Sequence, residues 1–342
     1  MKRLDAKLAR IRAGDYTRAD FIIADAKDGD MGAGCNTPAP ARNRDGSPAS
    51  GPRRLRTYLD QIKAVVDQDI VDIMLMSASN LERMVEEGVF RHSPVQPAIR
   101  ANEATDCWGG VRGGTYATYR SRPFSTAKLP RVMHGTPQPV QGAPVTGTDL
   151  GLYSLTFNND LDSDIASLNA FAAFRDAAAE TGFRYFLEVF NPNAPCGVEP
   201  RDVPAFVNDH ILRMLAGVMR ADRPQFLKIP FNGPAAMEEL AAYDPSLIVG
   251  VLGGGAGTTR DTFELLHQAE KYGARLALFG RKINLADSPL DIVRTMREVA
   301  HGNVSPDEAV RAYHGDLQRQ GITPSRPLAD DNLITEAVLK LV

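Results

Sequence analysis

Eight short apolar runs, separated by sequence that reads as helix or loop, constrain the fold of this chain more than any other feature. They are Phe21 to Ala24, Ile70 to Met76, Val95 to Arg100, Gly151 to Phe157, Arg184 to Phe190, Gln225 to Phe231, Leu247 to Leu252 and Arg275 to Phe279. Several are nearly continuous in Val, Ile, Leu and Phe, as expected of parallel strands covered on both faces. Pro97 makes the third run the least secure, because proline cannot donate to a ladder. Helix signals fall between the runs. Ser79 to Glu82 reads as a capping box ahead of Met84 and Val85, with Gly88 as the stop. Thr258 to Asp261 opens a window with Phe263, Leu266 and Ala269 on one face, ending at Gly273. Pro289 and Pro306 each follow a serine, at the first helical position. Residues 161 to 179 carry Ile165, Leu168, Phe171 and Ala172 at helical spacing. Strands alternating with helices in this way specify an α/β fold with a parallel sheet, closed as a (β/α)8 TIM barrel or open and doubly wound. The count of eight, and the lack of a GxGxxG after the first strand, favour the barrel.

Length then locates the rest of the chain. A barrel of this type takes about 250 residues, so 342 leaves a surplus. The whole span 1–342 reads as a single barrel domain with a core over about 20–302, insertions over 26–53 and 101–149, and an extension over 303–342 with extra helices at the termini. The first insertion is rich in Gly, Pro, Ala and Arg. The second holds the only tryptophan, Trp108, and Arg112, Arg120, Arg122 and Arg131. Each follows a strand, which puts it on the C-terminal face where barrel active sites are built. Loops this long are functional lids, subunit contacts or partly disordered segments.

Composition excludes several classes. A formal net charge of −3 gives no electrostatic reason for nucleic acid or an anionic membrane as partner. No uncharged apolar run approaches the ~20 residues of a membrane span, and the first residues lack the apolar core of a secretory signal. Cys35, Cys107 and Cys196 are odd in number and widely spaced, which argues for a reducing compartment and a cytoplasmic protein. The histidines show no HxH or HExxH spacing, so no zinc site is expected. Asp25, Asp28 and Asp30 alternate after the first run and read as a solvated acidic turn or a Mg²⁺ site. No cofactor is expected.

Lys228 is the sharpest single feature. It lies among Phe226, Leu227, Ile229 and Phe231 in an otherwise apolar run. It is either a lysine at a strand end reaching solvent, or an inward lysine whose desolvated amine attacks a carbonyl to form a Schiff base. Downstream, Gly253, Gly254 and Gly255 follow the seventh run and precede a helix, a turn whose N–H groups can approach an anion. Gly280 and Arg281 end the eighth run, and Arg281 is also a candidate cation near Lys228. Barrel phosphate sites form after strands seven and eight.

Taken together, these elements resemble the class I (Schiff-base) aldolase superfamily. The segment from Leu227 to Val310 is similar to the C-terminal half of the archaeal-type fructose-bisphosphate aldolase group, with deoxyribose-phosphate and tagatose-bisphosphate aldolases as neighbours. The resemblance implies Lys228 as the Schiff-base lysine and Gly253, Gly254, Gly255, Gly280 and Arg281 as the substrate-phosphate site. It also implies Asp25, at the end of strand one, as an assisting acid, a phosphorylated sugar as substrate, and a homo-oligomer. The N-terminal half departs from the pattern. Where the archaeal group has a tyrosine after strand five, this chain has Phe190 and Asn191. Glu188 shares a face with Phe190 and reads either as the replacement acid or as a salt-bridge partner of Lys228. Asp25-Ala26-Lys27 stands where that group has Asp-His-Gly, so Lys27 is a secondary candidate for anion binding or proton transfer. The expected function is a lyase cleaving or forming a C–C bond in a ketose phosphate. The alternatives are a metal-assisted barrel enzyme centred on Asp25, Asp28 and Glu188, and a non-catalytic sugar-phosphate-binding protein.

Overall fold

The computed structural model describes all residues except Met1, Arg42, Arg44, Gly46, Pro48, Gln141 and Val342. Four of those lie in the expected insertion 26–53 and one in 101–149, so these parts of the two insertions fall outside the described residues. Eight parallel strands close into a (β/α)8 barrel: β1 (Ile22–Lys27), β2 (Ile73–Met76), β3 (Gln96–Arg100), β4 (Leu150–Thr156), β5 (Arg184–Phe190), β6 (Leu227–Ile229), β7 (Val249–Leu252) and β8 (Leu276–Phe279). Each pairs with the next, and β8 returns to β1 with Asp25 opposite Phe279.

Side-chain alternation divides each strand between two cores. Ile22, Ala24, Ala26, Ile73, Leu75, Ala98, Leu150, Leu152, Phe186, Phe226, Ile248, Leu276 and Leu278 fill the barrel interior. Their neighbours Ile23, Met74, Met76, Ile99, Tyr153, Leu187, Val249 and Phe279 face the helix layer. The two faces explain why the strands read as continuous apolar runs. Leu4 and Leu8 of the helix Arg3–Ala13 join the interior cluster, so this N-terminal helix plugs the lower end.

Pro97 sits inside β3 because its missing donor faces β4 before β4 has begun. Gln96 N–H pairs with Asp72 on the β2 side, and the Pro97 carbonyl accepts from Thr148 Oγ1 at 2.5 Å and Gln96 Nε2 at 3.0 Å. The helix after β2 starts two positions earlier than the capping box expects: it spans Ala78–Glu86 with Ser77 as N-cap. Ser77 gives its hydroxyl to Asp30 at 2.6 Å instead of capping the helix. The caps at Thr258, Ser288 and Ser305 form as expected.

The insertions meet above the barrel. The first contributes the short helix Asp30–Ala33; the second contributes a two-stranded ribbon, Glu103–Ala104 with Pro123–Phe124, and the 3-10 segment Thr105–Gly110. A Cβ at Gly32 would lie 2.6 Å from the Cys107 carbonyl oxygen, and one at Gly110 would lie 2.7 Å from Ala33 Cβ. Glycine is what allows this close approach. Trp108 anchors the second insertion edge-on to Tyr116 and Phe124, with centroids 5.3 and 5.2 Å away.

Candidate active site

The strand alternation that packs the interior also decides which polar groups reach the mouth. Position by position, the inward register ends in Asp28 after β1, Arg100 on β3, Ser154 on β4, Glu188 on β5 and Lys228 on β6. Ser154 stands opposite Glu188, and Glu188 opposite Lys228, in the strand ladder. Lys228 Nζ donates to Glu188 Oε1 at 2.6 Å. The other carboxylate oxygen accepts from Arg100 Nη2 at 3.1 Å. Arg100 also donates to Asp28 Oδ2 at 2.6 Å and Ser154 Oγ at 2.5 Å. Lys228 is 5% exposed and Glu188 1%, so this is a buried network in which two cations face two carboxylates. Burial pushes the Asp28 carboxyl up, but Arg100 and then Lys228 outweigh it and hold the group below its usual range.

Close packing beside the lysine requires a glycine on the neighbouring strand. Gly250 of β7 stands opposite Lys228, and a Cβ there would lie 2.2 Å from Leu276 Cγ. The second insertion closes the site from above: Cys107 Sγ lies 3.5 Å from Arg100 Nη1, and burial pushes its thiol up to about 12 against the pull of Arg100. Asp30 lies at the rim, with Oδ2 held by Ser77 and Asn80. Burial raises its carboxyl pKa, Ser77 opposes, and the nearby Asp28 charge adds to the rise.

Asp25 and Lys27 are not brought together with Lys228, which corrects the expectation drawn from the end of strand one. Asp25 pairs in register with Met74 and Phe279, and Lys27 with Met76, all on the helix-facing side. The two form their own pair at 3.2 Å, both fully buried, with Lys27 Nζ 5.9 Å from the Tyr58 ring. Burial raises the Asp25 carboxyl to about 6 against the opposing charge of Lys27. Burial likewise lowers the Lys27 ammonium, with Asp25 opposing. Asp28 is the acidic residue of strand one that reaches the mouth. With Asp25 on the outer face, the set Asp25, Asp28 and Glu188 does not converge on one point.

The glycine elements lie after β7 and β8, at the same end of the barrel as Lys228. Gly254 has φ +63°, a conformation that favours glycine. A Cβ at Gly253 would lie 3.0 Å from Phe279 Cδ1, and one at Gly280 would lie 2.8 Å from the Ala26 carbonyl oxygen. Among the described residues, the N–H groups of Gly254 and Gly255 have no hydrogen-bond partner. The first turn of the helix Thr259–Lys271 is different, because Asp331 of the C-terminal extension accepts from Thr259 N–H at 2.9 Å and Asp261 accepts from Thr258 N–H. Arg281 is exposed and lines a cavity of about 40 Å³ with Thr258, Lys282 and Arg326. The guanidinium in the Lys228 network is Arg100, not Arg281. Sequence reading missed Arg100 and Ser154, although Ala98, Arg100 and Asn102 alternate at the end of an apolar run, a pattern that marks an inward charge.

Among the described residues, no helix is long and apolar enough to cross a membrane. No protein-family model matches the chain, and no curated protein matches it. Solved structures do. An archaeal fructose-1,6-bisphosphate aldolase whose catalytic lysine is covalently bound to the carbinolamine intermediate of its substrate is 14% identical, with a TM-score of 0.58 over 87% of this chain and 100% of that one. The fructose-bisphosphate aldolase of Slackia heliotrinireducens is 12% identical, with a TM-score of 0.63 over 92% and 90%. A Corynebacterium glutamicum protein is 16% identical, with a TM-score of 0.56 over 88% and 98%. The chain therefore shares the barrel fold of archaeal-type, Schiff-base aldolases.

Proposed function

We propose that the chain is a class I aldolase-like lyase that cleaves or forms a C–C bond in a phosphorylated ketose through a Schiff base on Lys228. The observation that carries this reading is the 2.6 Å contact between Lys228 Nζ and Glu188 Oε1 inside the barrel mouth. Glu188 takes a proton from the ammonium, and the freed amine attacks the substrate ketone carbon. The carbinolamine oxygen takes that proton back and leaves as water, which gives a protonated imine. A carboxylate then removes the proton of the hydroxyl beyond the scissile bond. The C–C bond breaks, its electrons flow into the iminium to form an enamine, and an aldehyde departs. Protonation of the enamine carbon and hydrolysis return Lys228. Glu188 and Asp28 are the proton-transfer groups of this scheme. The turn at Gly253 to Gly255, with Gly280 and Arg281, is the place for the substrate phosphate, since free N–H groups and a guanidinium both suit a phosphoryl oxygen.

The test is borohydride trapping with dihydroxyacetone phosphate and other ketose phosphates, followed by mass mapping. The expected outcome is one reduced adduct, on Lys228. No adduct, or an adduct on another residue, sinks the proposal. Ligand-induced thermal stabilisation without any adduct would make the protein a sugar-phosphate-binding module instead.

A further inference from the structure

Arg100 engages four side chains at once. Nε donates to Asp28, Nη1 to Ser154 with Cys107 Sγ beyond, and Nη2 to Glu188. Glu188 in turn divides its two oxygens between Arg100 and Lys228. The groups facing Lys228 are Glu188 from β5, Arg100 from β3 acting through Glu188, and Asp28 beyond β1. Serine 154 on β4, Gly250 and Leu252 on β7 and Gly280 after β8 bring no charge to the mouth. Asp30, from the insertion after β1, lies at the rim, bound by Ser77 and Asn80 from beyond β2. In a site this buried, one added or missing unit charge is poorly screened and acts on every other group in the network.

We infer that Arg100 is a positioning residue that sets the proton balance between Glu188 and Lys228. This rests on the Schiff-base reading of Lys228. The first part of this role is geometric. By occupying Oε2, the guanidinium leaves Oε1 as the oxygen through which a proton passes to and from Lys228. The second part is charge. The permanent cation offsets one carboxylate, so the mouth does not hold Lys228 as ammonium more strongly than Glu188 alone requires. Without Arg100 the network carries one excess negative charge, and the amine is harder to free.

The experiment is reductive trapping of the wild-type protein with dihydroxyacetone phosphate and cyanoborohydride, from about pH 5 to about pH 9, read as adduct mass against time. Arg100→Met should move the pH midpoint of trapping upward by about one unit, which is roughly tenfold slower trapping on the acidic limb. Arg100→Lys keeps the charge and should hold the wild-type midpoint at a lower rate, since the ammonium cannot reach both carboxylates. Asp28→Asn removes a negative charge and should move the midpoint the other way. A merely structural role lowers trapping equally at every pH, and circular dichroism and Tm follow the fold in parallel. The inference is overturned if Arg100→Met keeps the wild-type midpoint, or if Arg100→Met and Asp28→Asn shift it in the same direction. Should Arg100→Met not fold, Asp28→Asn and Arg100→Lys still give the sign. No adduct on Lys228 of the wild-type protein is a different failure, since it removes the Schiff-base reading itself.

Discussion

Among the described residues, two buried lysine–carboxylate pairs have both members on barrel strands, and they differ in almost everything except composition. Asp25 and Lys27 share one strand, face the helix layer, and lie 3.2 Å apart; neither Asp25 oxygen has a well-formed hydrogen bond among the described residues. Glu188 and Lys228 come from neighbouring strands, face the interior, meet at 2.6 Å and share Arg100. One face of the sheet leads to a closed hydrophobic layer, the other to the mouth where a substrate could sit. Burial of an ion pair is therefore no sign of a site. What distinguishes the two is the side of the strand and the number of further partners.

The largest expected effect separates the pairs outright. Lys228→Met should abolish ketose-phosphate trapping, whereas Lys27→Met should still yield the Lys228 adduct; loss of the adduct in both would erase the contrast. Next, Glu188→Gln should slow trapping by about 100-fold or more, the range for a lost acid–base group, while circular dichroism stays that of the wild type. An unchanged rate would leave Glu188 a structural partner of Lys228.

The outer pair should show itself in stability. Lys27→Met alone leaves a buried carboxylate uncompensated and should cost about 3–5 kcal/mol, whereas Asp25→Leu with Lys27→Met should be near neutral or stabilising. Urea unfolding at neutral pH tests this, and equal losses in the single and double variants would contradict it. A pH series sharpens the same point. The folded Asp25 titrates at about 6, above its ordinary 3.8, so the folded state binds more protons between those values. Its contribution to stability is therefore largest at low pH and falls as pH rises from about 4 to about 6. Asp25→Asn should flatten that slope in urea midpoints, and an unchanged slope would falsify the assignment. The smallest effect concerns the exposed Arg281. Arg281→Ala should raise the dihydroxyacetone phosphate concentration for half-maximal trapping by about tenfold, a typical loss of one charged contact, and leave Tm unchanged.

The barrel was legible because both faces of every strand are covered. That produced eight apolar runs, and the structure puts a strand in each, including the run with Pro97. The helix starts at Thr258, Ser288 and Ser305 were legible because a cap is a local device. Ser77 was not, because its hydroxyl is taken by Asp30, a residue far away in sequence. In the site, Lys228 and Glu188 stood out as charges inside apolar runs. Asp25 was misplaced because the first run ends without a clear marker of which alternate residues face inward.

The sequence alone determined the alternation of strands and helices, the two long loops after the first and third strands, and the position of Lys228 within an apolar strand. These follow from periodicity, composition and chain-local chemistry. Only the tertiary structure decided that Asp28 and not Asp25 reaches the mouth, that Arg100 joins the carboxylates of Asp28 just after β1 and Glu188 on β5, and that Asp331 covers the helix start at Thr259. Each of these depends on strand register or on contacts between segments remote in sequence, and a shift of one residue in register turns a side chain to the opposite face of the sheet.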